Sequence, residues 1–215
     1  MRLKRLIKSI FRPKKAAEPI RPVSPLRKND TTSFVFIHIN KTAGTSIAKA
    51  IGLPRKSHLT AIEVIDIIGR DQWDKAFKFA VVRNPWAKVY SHYKYRIKTN
   101  QNKMGQQPVE FNNWVAKTYG PEKDPNYYDI PKMFQPQVDW LIDHQGKMDI
   151  DLILKFETLA EDYEVLRKKI GVDEPLPHLN KTQKTDYRAQ YSEASKEIIA
   201  NWFKDDIALF GYRFD

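Results

Sequence analysis

Cysteine is absent from the 215 residues, which excludes disulfides, thiolate metal sites and a cysteine nucleophile. Long apolar runs are absent too. The one nearest the start, around Leu6 and Ile7, is far too short for a membrane span or a signal-peptide core, so a cytoplasmic location is expected. No internal repeat is visible. Acidic residues are scarce only in one place: residues 1 to 30 hold ten Lys or Arg against Glu18 and Asp30, a local net of +8 out of a total of +11. The high basicity therefore describes a tail, and no nucleic-acid face is needed on the body.

With 41% hydrophobic and 12% aromatic residues, the chain can bury one substantial core but is short for two enzyme domains. Residues 1–12 put Leu3, Leu6, Ile7 and Ile10 near one face of a possible helix, with Arg2, Lys4, Arg5 and Lys8 around it. This reads as a solvated basic tail, with peripheral contact to an anionic inner-membrane face as the alternative. Pro13, Pro19, Pro22 and Pro25 mark an extended linker, so residues 1–30 are expected to be tail and 31–215 the folded domain.

Phe34 to Ile39, uncharged and rich in β-branched and aromatic residues, predicts a buried parallel strand. The turn from Asn40 to Ser46 opens a helix to about Ile51, closed by Gly52 and Pro54. Thr60 and Glu63 form a capping box for a helix to Gly69. Phe77 to Val82 predicts a second strand, and Pro85 the first position of a helix toward Lys98. Residues 100–130, rich in Asn, Gln, Pro and Tyr, look like an insertion over a site, with a short helix near Val109 to Lys117. Leu152 to Phe156 is a third strand, Thr158 to Ile170 a helix stopped by Gly171. Ser192 caps a last helix to about Leu209, with Trp202 and Phe203 inward. The alternation predicts a three-layer α/β sandwich on a central parallel sheet.

The turn between the first strand and helix carries Lys41, Thr42, Ala43, Gly44, Thr45 and Ser46. Such a turn aims backbone N–H groups and a helix dipole at an anion; Gly44 permits close approach, Lys41 adds charge, and the hydroxyls of Thr42, Thr45 and Ser46 add donors. It is not a Walker A loop, because Lys41 precedes the only glycine of the turn. Arg83 leaves the end of the second strand, and Ser91 lies about two turns into the next helix. A guanidinium and a hydroxyl so placed can clamp a second phosphate. Together the two segments suggest a ligand with two separated anionic groups.

KTAGTS after FVFIHI resembles the 5′-phosphosulfate loop of the Golgi-type carbohydrate sulfotransferases and their bacterial relatives (sulfotransferase family 2), and VVRNPWAKVYSHYKYR resembles their 3′-phosphate motif. The likeness extends through KFETL, LPHLNKT and DIALFGY, covering about residues 33–213. Asn40 stands where the family usually has proline, Ala43 where it has glycine, and Lys88 where arginine is common. The resemblance implies a P-loop-like sulfotransferase fold and transfer from 3′-phosphoadenosine 5′-phosphosulfate (PAPS) to a hydroxyl on a carbohydrate or similar acceptor, without a metal. It implies that Lys41 neutralises the leaving 5′-phosphate oxygen, that Thr42, Ala43, Gly44, Thr45 and Ser46 hold that phosphate, and that Arg83 and Ser91 grip the 3′-phosphate. Lys181 and Thr182, beside a loop-shaping His178, are further phosphate contacts. His58 falls where such enzymes often carry a catalytic histidine, and docking of the Thr60 helix is its other reading. Glu63 is a reserve base. His38 reads as structural, His92 and His144 as solvent-facing on helices, and Asp206, Phe210, Gly211 and Tyr212 as structural. Trp86 reads as core, with adenine stacking as the alternative. Tyr119, Tyr127 and Tyr128 suit a sugar. The rival readings are a nucleotide kinase, a non-catalytic nucleotide-binding protein and a membrane-surface module built on the tail.

Overall fold

A computed structural model of the chain describes residues 26–28, 33–53, 58–177 and 186–214. The basic tail over residues 1–25, with its alternative reading as a membrane-surface helix, and His178, Lys181 and Thr182 lie outside these residues.

The sheet is four-stranded in the order β1 (Leu26–Lys28), β2 (Ser33–Ile37), β3 (Phe77–Val82), β4 (Leu152–Lys155). β2, β3 and β4 run parallel, as the alternation of strand and helix predicts, and β1 adds an antiparallel edge. The expected linker thus contributes a strand, and the sheet begins before residue 31. Nothing in the linker's composition signals this, because a three-residue edge strand owes its conformation to the partner it pairs with.

Side-chain alternation sorts the sheet's two faces. Phe34, Phe36, Phe79, Val81 and Leu154 face α1 (Gly44–Ala50) and α7 (Leu159–Ile170), through Ile47, Tyr163, Leu166 and Ile170. Val35, Ile37, Ala80 and Val82 face α2 (Ala61–Ile68) and α3 (Arg70–Lys75), through Val64, Ile65 and Trp73. Burying each such side chain contributes roughly 1.5–3 kcal/mol, so a sheet covered on both faces is the stable outcome. The predicted capping box is present with both arms, Thr60 Oγ1 accepting from Glu63 N and Thr60 N donating to Glu63 Oε2. α3 was not expected; a short helix resting on one buried residue, Trp73, has too few turns to show a period.

α4 (Pro85–Lys98) is started by Pro85 and capped by the Asn84 side chain, which accepts from Trp86 N and Ala87 N. It packs with α5 (Phe111–Tyr119), α6 (Pro131–Phe134) and α8 (Glu193–Trp202) around Trp86, Phe111, Trp114, Phe134 and Phe203. Residues 100–130 are therefore partly core: Trp114 and Val115 are fully buried, and Tyr119 is buried rather than open to a sugar. Trp86 is core as well, its Nε1 donating to Lys196 O. The single helix expected after Ser192 breaks at Phe203 into α8 and α9 (Lys204–Phe210). The break lets Phe203 enter the core while Asp206, one turn on, also points inward, both at 0% exposure.

Candidate active site

β2 and β3 are parallel neighbours, so the turns leaving their carboxyl ends open on the same rim of the sheet. Lys41 follows β2 and Arg83 follows β3. Arg83 Nη1 donates to Lys41 O at 3.1 Å, joining two segments 42 residues apart. β4 contributes from the same rim: the Phe156 ring lies 3.9 Å beneath the Arg83 guanidinium. Glu157 next to it is committed elsewhere, Oε1 accepting from Asn84 N and Oε2 from Tyr212 Oη.

Arg83 has no ion-pair partner among the described residues, and its Nε is inaccessible and without a hydrogen-bond partner. Desolvation pulls the guanidinium down to about 10, against the opposing fields of Glu157, Tyr187 and Tyr212. A half-buried, incompletely satisfied cation is costly in the empty protein and is relieved by an incoming anion. Lys41 Nζ sits 4.0 Å over the ring of Tyr95 on α4. Tyr95 lies one turn beyond Ser91, so the helix face bearing Ser91 is turned toward the Lys41 loop. Lys41 and Arg83 therefore share one rim, and Ser91 stands one helical turn before the Tyr95 that Lys41 covers.

The loop backbone is unusual. Lys41 and Ala43 both have positive φ, 66° and 64°, and Ala43 is the residue that starts α1. Left-handed backbone at a non-glycine residue is strained, which accounts for glycine as the family's usual residue at the Ala43 position. Gly44 also has a packing reason that its sequence position does not show: a Cβ there would collide with the His38 ring. The Thr42 hydroxyl likewise faces inward, fully buried and donating to Ile39 O at 2.9 Å, so of the three loop hydroxyls only those of Thr45 and Ser46 reach the surface. Asn40 is buried, with Nδ2 on Met133 O.

His38 links the loop to His58. Its ring stacks on Phe36 and lies 4.3 Å from the His58 ring. His58 Nδ1 is 2.8 Å from His38 O, and a carbonyl oxygen only accepts, so Nδ1 carries the proton and Nε2 the lone pair. Glu63 is poorly suited as a base. Burial pushes its carboxyl up, but Lys132 and the Thr60 N–H outweigh this and hold it below its ordinary value.

Two histidines depart from the sequence reading. His92 is buried, not solvent-facing, stacked on Phe134 at 5.0 Å with Nδ1 unpartnered. Burial, then Lys88, Arg96, Lys41 and His58, lower its pKa well below 6.5. His144 is exposed as expected, but on a turn, with Nε2 2.8 Å from Asp66 Oδ1. Lys88, His92 and Arg96 recur every four residues and form a buried basic-residue stripe on α4, in which His92 is held neutral. Helical periodicity places the three together; the packing of α5 and α8 over that face is what buries them.

The sequence pattern of the sulfotransferase family matches residues 24–213, nearly the whole chain. The chain belongs to this family. An uncharacterized protein of Archaeoglobus fulgidus is 32% identical over 124 residues, 56% of this chain and 90% of that one. A sulfotransferase from Alicyclobacillus acidocaldarius, solved as a crystal structure, superposes with a TM-score of 0.42 and 14% identity, over 83% of this chain and 95% of its own. Among the described residues of this sulfotransferase, no helix is long and apolar enough to cross a membrane.

Two outcomes follow from the strained loop and the buried stripe. Ala43→Gly removes a left-handed alanine and should raise unfolding free energy by about 1 kcal/mol in urea denaturation; a loss of stability would show that Ala43 is not strained. Burial brings Lys88 down to about 8, opposed by Asp206 and reinforced by Arg83. Between that value and about 10.4 the unfolded chain holds a proton that the folded chain has released, so stability rises with pH across this window, and the cost is fully present below it. Above about 10 the raised Tyr119 and Tyr212 hydroxyls act in the opposite sense. Lys88→Met should flatten the slope between about pH 8 and 10; persistence of the slope in the variant would assign it to another group.

Proposed function

We propose that this sulfotransferase moves the sulfuryl group of 3′-phosphoadenosine 5′-phosphosulfate to a hydroxyl of a carbohydrate, releasing adenosine 3′,5′-bisphosphate. The observation that carries this reading is the Arg83 guanidinium, desolvated, without a carboxylate partner among the described residues, and tied to the Lys41 carbonyl. A planar cation in that state fits a phosphate, to which it offers charge-assisted donors. Ser91 on the adjoining helix adds a hydroxyl, and the pair serves as the 3′-phosphate grip.

The turn from Thr42 to Ser46 takes the 5′-phosphate, through its backbone amides and the Thr45 and Ser46 hydroxyls. Thr42 and Gly44 also hold the loop's shape, the one through Ile39 O and the other by admitting His38. Lys181 and Thr182 join the same nucleotide on the strength of the resemblance. In the transfer, the acceptor oxygen bonds to sulfur as the sulfur bond to the bridging phosphate oxygen breaks. The electron pair stays on the phosphate, where Lys41 offsets the growing charge, and the acceptor proton goes to His58 Nε2. The carbohydrate acceptor is supported by the motif resemblance to carbohydrate sulfotransferases.

Calorimetric titration separates this reading from a kinase. Adenosine 3′,5′-bisphosphate should bind about tenfold or more tightly than ATP, and Arg83→Met should cost about 10- to 100-fold in bisphosphate affinity. A preference for ATP would overturn the reading. With a soluble glycan acceptor, His58→Ala should lower kcat by about 10²- to 10⁴-fold and leave bisphosphate affinity nearly unchanged; an unaltered kcat would remove His58 from the chemistry.

A further inference from the structure

The peptide of Arg83 lies one residue beyond the last paired position of β3, where Val82 still faces Lys155 of β4. No strand continues beside it, yet both of its polar groups are satisfied. Arg83 N donates to Gln137 Oε1 at 2.9 Å, and Gln137 Nε2 donates to Arg83 O at 2.9 Å. The Gln137 carboxamide, 0% exposed and 54 residues away, acts as a one-residue strand that extends the sheet to Arg83.

Gln137 is itself held. Its backbone N and its Nε2 both donate to Asp206 Oδ2 at 2.9 Å, and Val138 N donates to Asp206 Oδ1 at 2.9 Å. Asp206, at 0% exposure, therefore receives three N–H groups. The arrangement also fixes which way the carboxamide points. Reversed, Gln137 would set its oxygen against two acceptors and its NH₂ against the Arg83 N–H. Asp206 thus dictates the orientation of Gln137, and Gln137 dictates the peptide plane at Arg83.

That plane matters because the Arg83 side chain has few restraints of its own: one hydrogen bond to Lys41 O and the ring of Phe156 below. A long side chain magnifies any rotation of the peptide from which it springs, and displacements of about 1 Å at a binding group can cost about 100-fold. We propose that Gln137, oriented by Asp206, is a positioning residue for the 3′-phosphate grip, fixing the peptide of Arg83 and so setting how strongly the protein distinguishes nucleotides with a 3′-phosphate from those without one. This rests on the reading of Arg83 as the 3′-phosphate ligand.

The readout is a ratio that loss of packing alone would not move: the dissociation constant of adenosine 5′-monophosphate divided by that of adenosine 3′,5′-bisphosphate, by calorimetry on the full chain. Gln137→Asn keeps an amide beside Asp206 but withdraws it from Arg83; Gln137→Met removes the side-chain bonds to both and leaves the backbone N–H on Asp206. The ratio should fall about tenfold or more in both, toward that of Arg83→Met, while monophosphate affinity stays within about twofold of the unaltered protein. If both ligands weaken together and the ratio holds, Gln137 is merely structural and the inference is overturned. Should Gln137→Met fail to fold, Gln137→Asn decides by the same ratio. A ratio near one in the unaltered protein would defeat the reading of Arg83 itself, an outcome distinct from failure of the Gln137 step.

Discussion

A desolvated guanidinium with no ion-pair partner among the described residues governs this site. Arg83 sits where the second of two neighbouring parallel strands ends, its Nη1 on the backbone oxygen of Lys41 at the end of the first. A guanidinium drawn out of water is costly where it has no ion-pair partner, and here that cost is set by desolvation. The fold tolerates it because the sheet and the Gln137 carboxamide fix the Arg83 peptide independently of what the side chain prefers. The parallel sheet thus brings the Lys41 and Arg83 segments to one edge.

The supports are arranged in rings of decreasing commitment to the ligand. Next to Arg83 are Phe156 beneath the guanidinium and Gln137 along the peptide. Behind Gln137 stands Asp206, brought inward by the break between α8 and α9. Beside it runs the α4 stripe of Lys88, His92 and Arg96, of which, among the described residues, only Arg96 has a carboxylate on it, Asp129. On the other flank, Gly44 makes space for His38, and His38 in turn seats His58 through its carbonyl and its ring. The loop that handles charge and the histidine assigned to handle a proton are therefore coupled through one buried imidazole.

Local signals carried far in this chain. The capping box of Thr60 and Glu63, Pro85 at a helix start, Ser192 as a cap and the apolar runs of β2 and β3 are each written within a few residues, and each appears where those residues put it. Three features were not legible. β1 has too few residues to carry a pattern, α3 has too few turns, and the aromatic content of residues 100–130 reads equally as a sugar surface and as the core it partly is.

The sequence alone determined the strand, turn and helix around Lys41 and Arg83, because caps, turns and alternation act between residues at most four apart. Tertiary structure alone decided which of those groups meet and which are buried. The partners of Arg83 lie 42 and 54 residues away, and that of Gln137 69 residues away. The inward turn of the Thr42 hydroxyl, the burial of His92 and Lys88, and the need for glycine at Gly44 all depend on surfaces that other segments bring. Burial and pairing belong to the order of strands in the sheet and the packing of helices on it, and no window of neighbouring residues contains either.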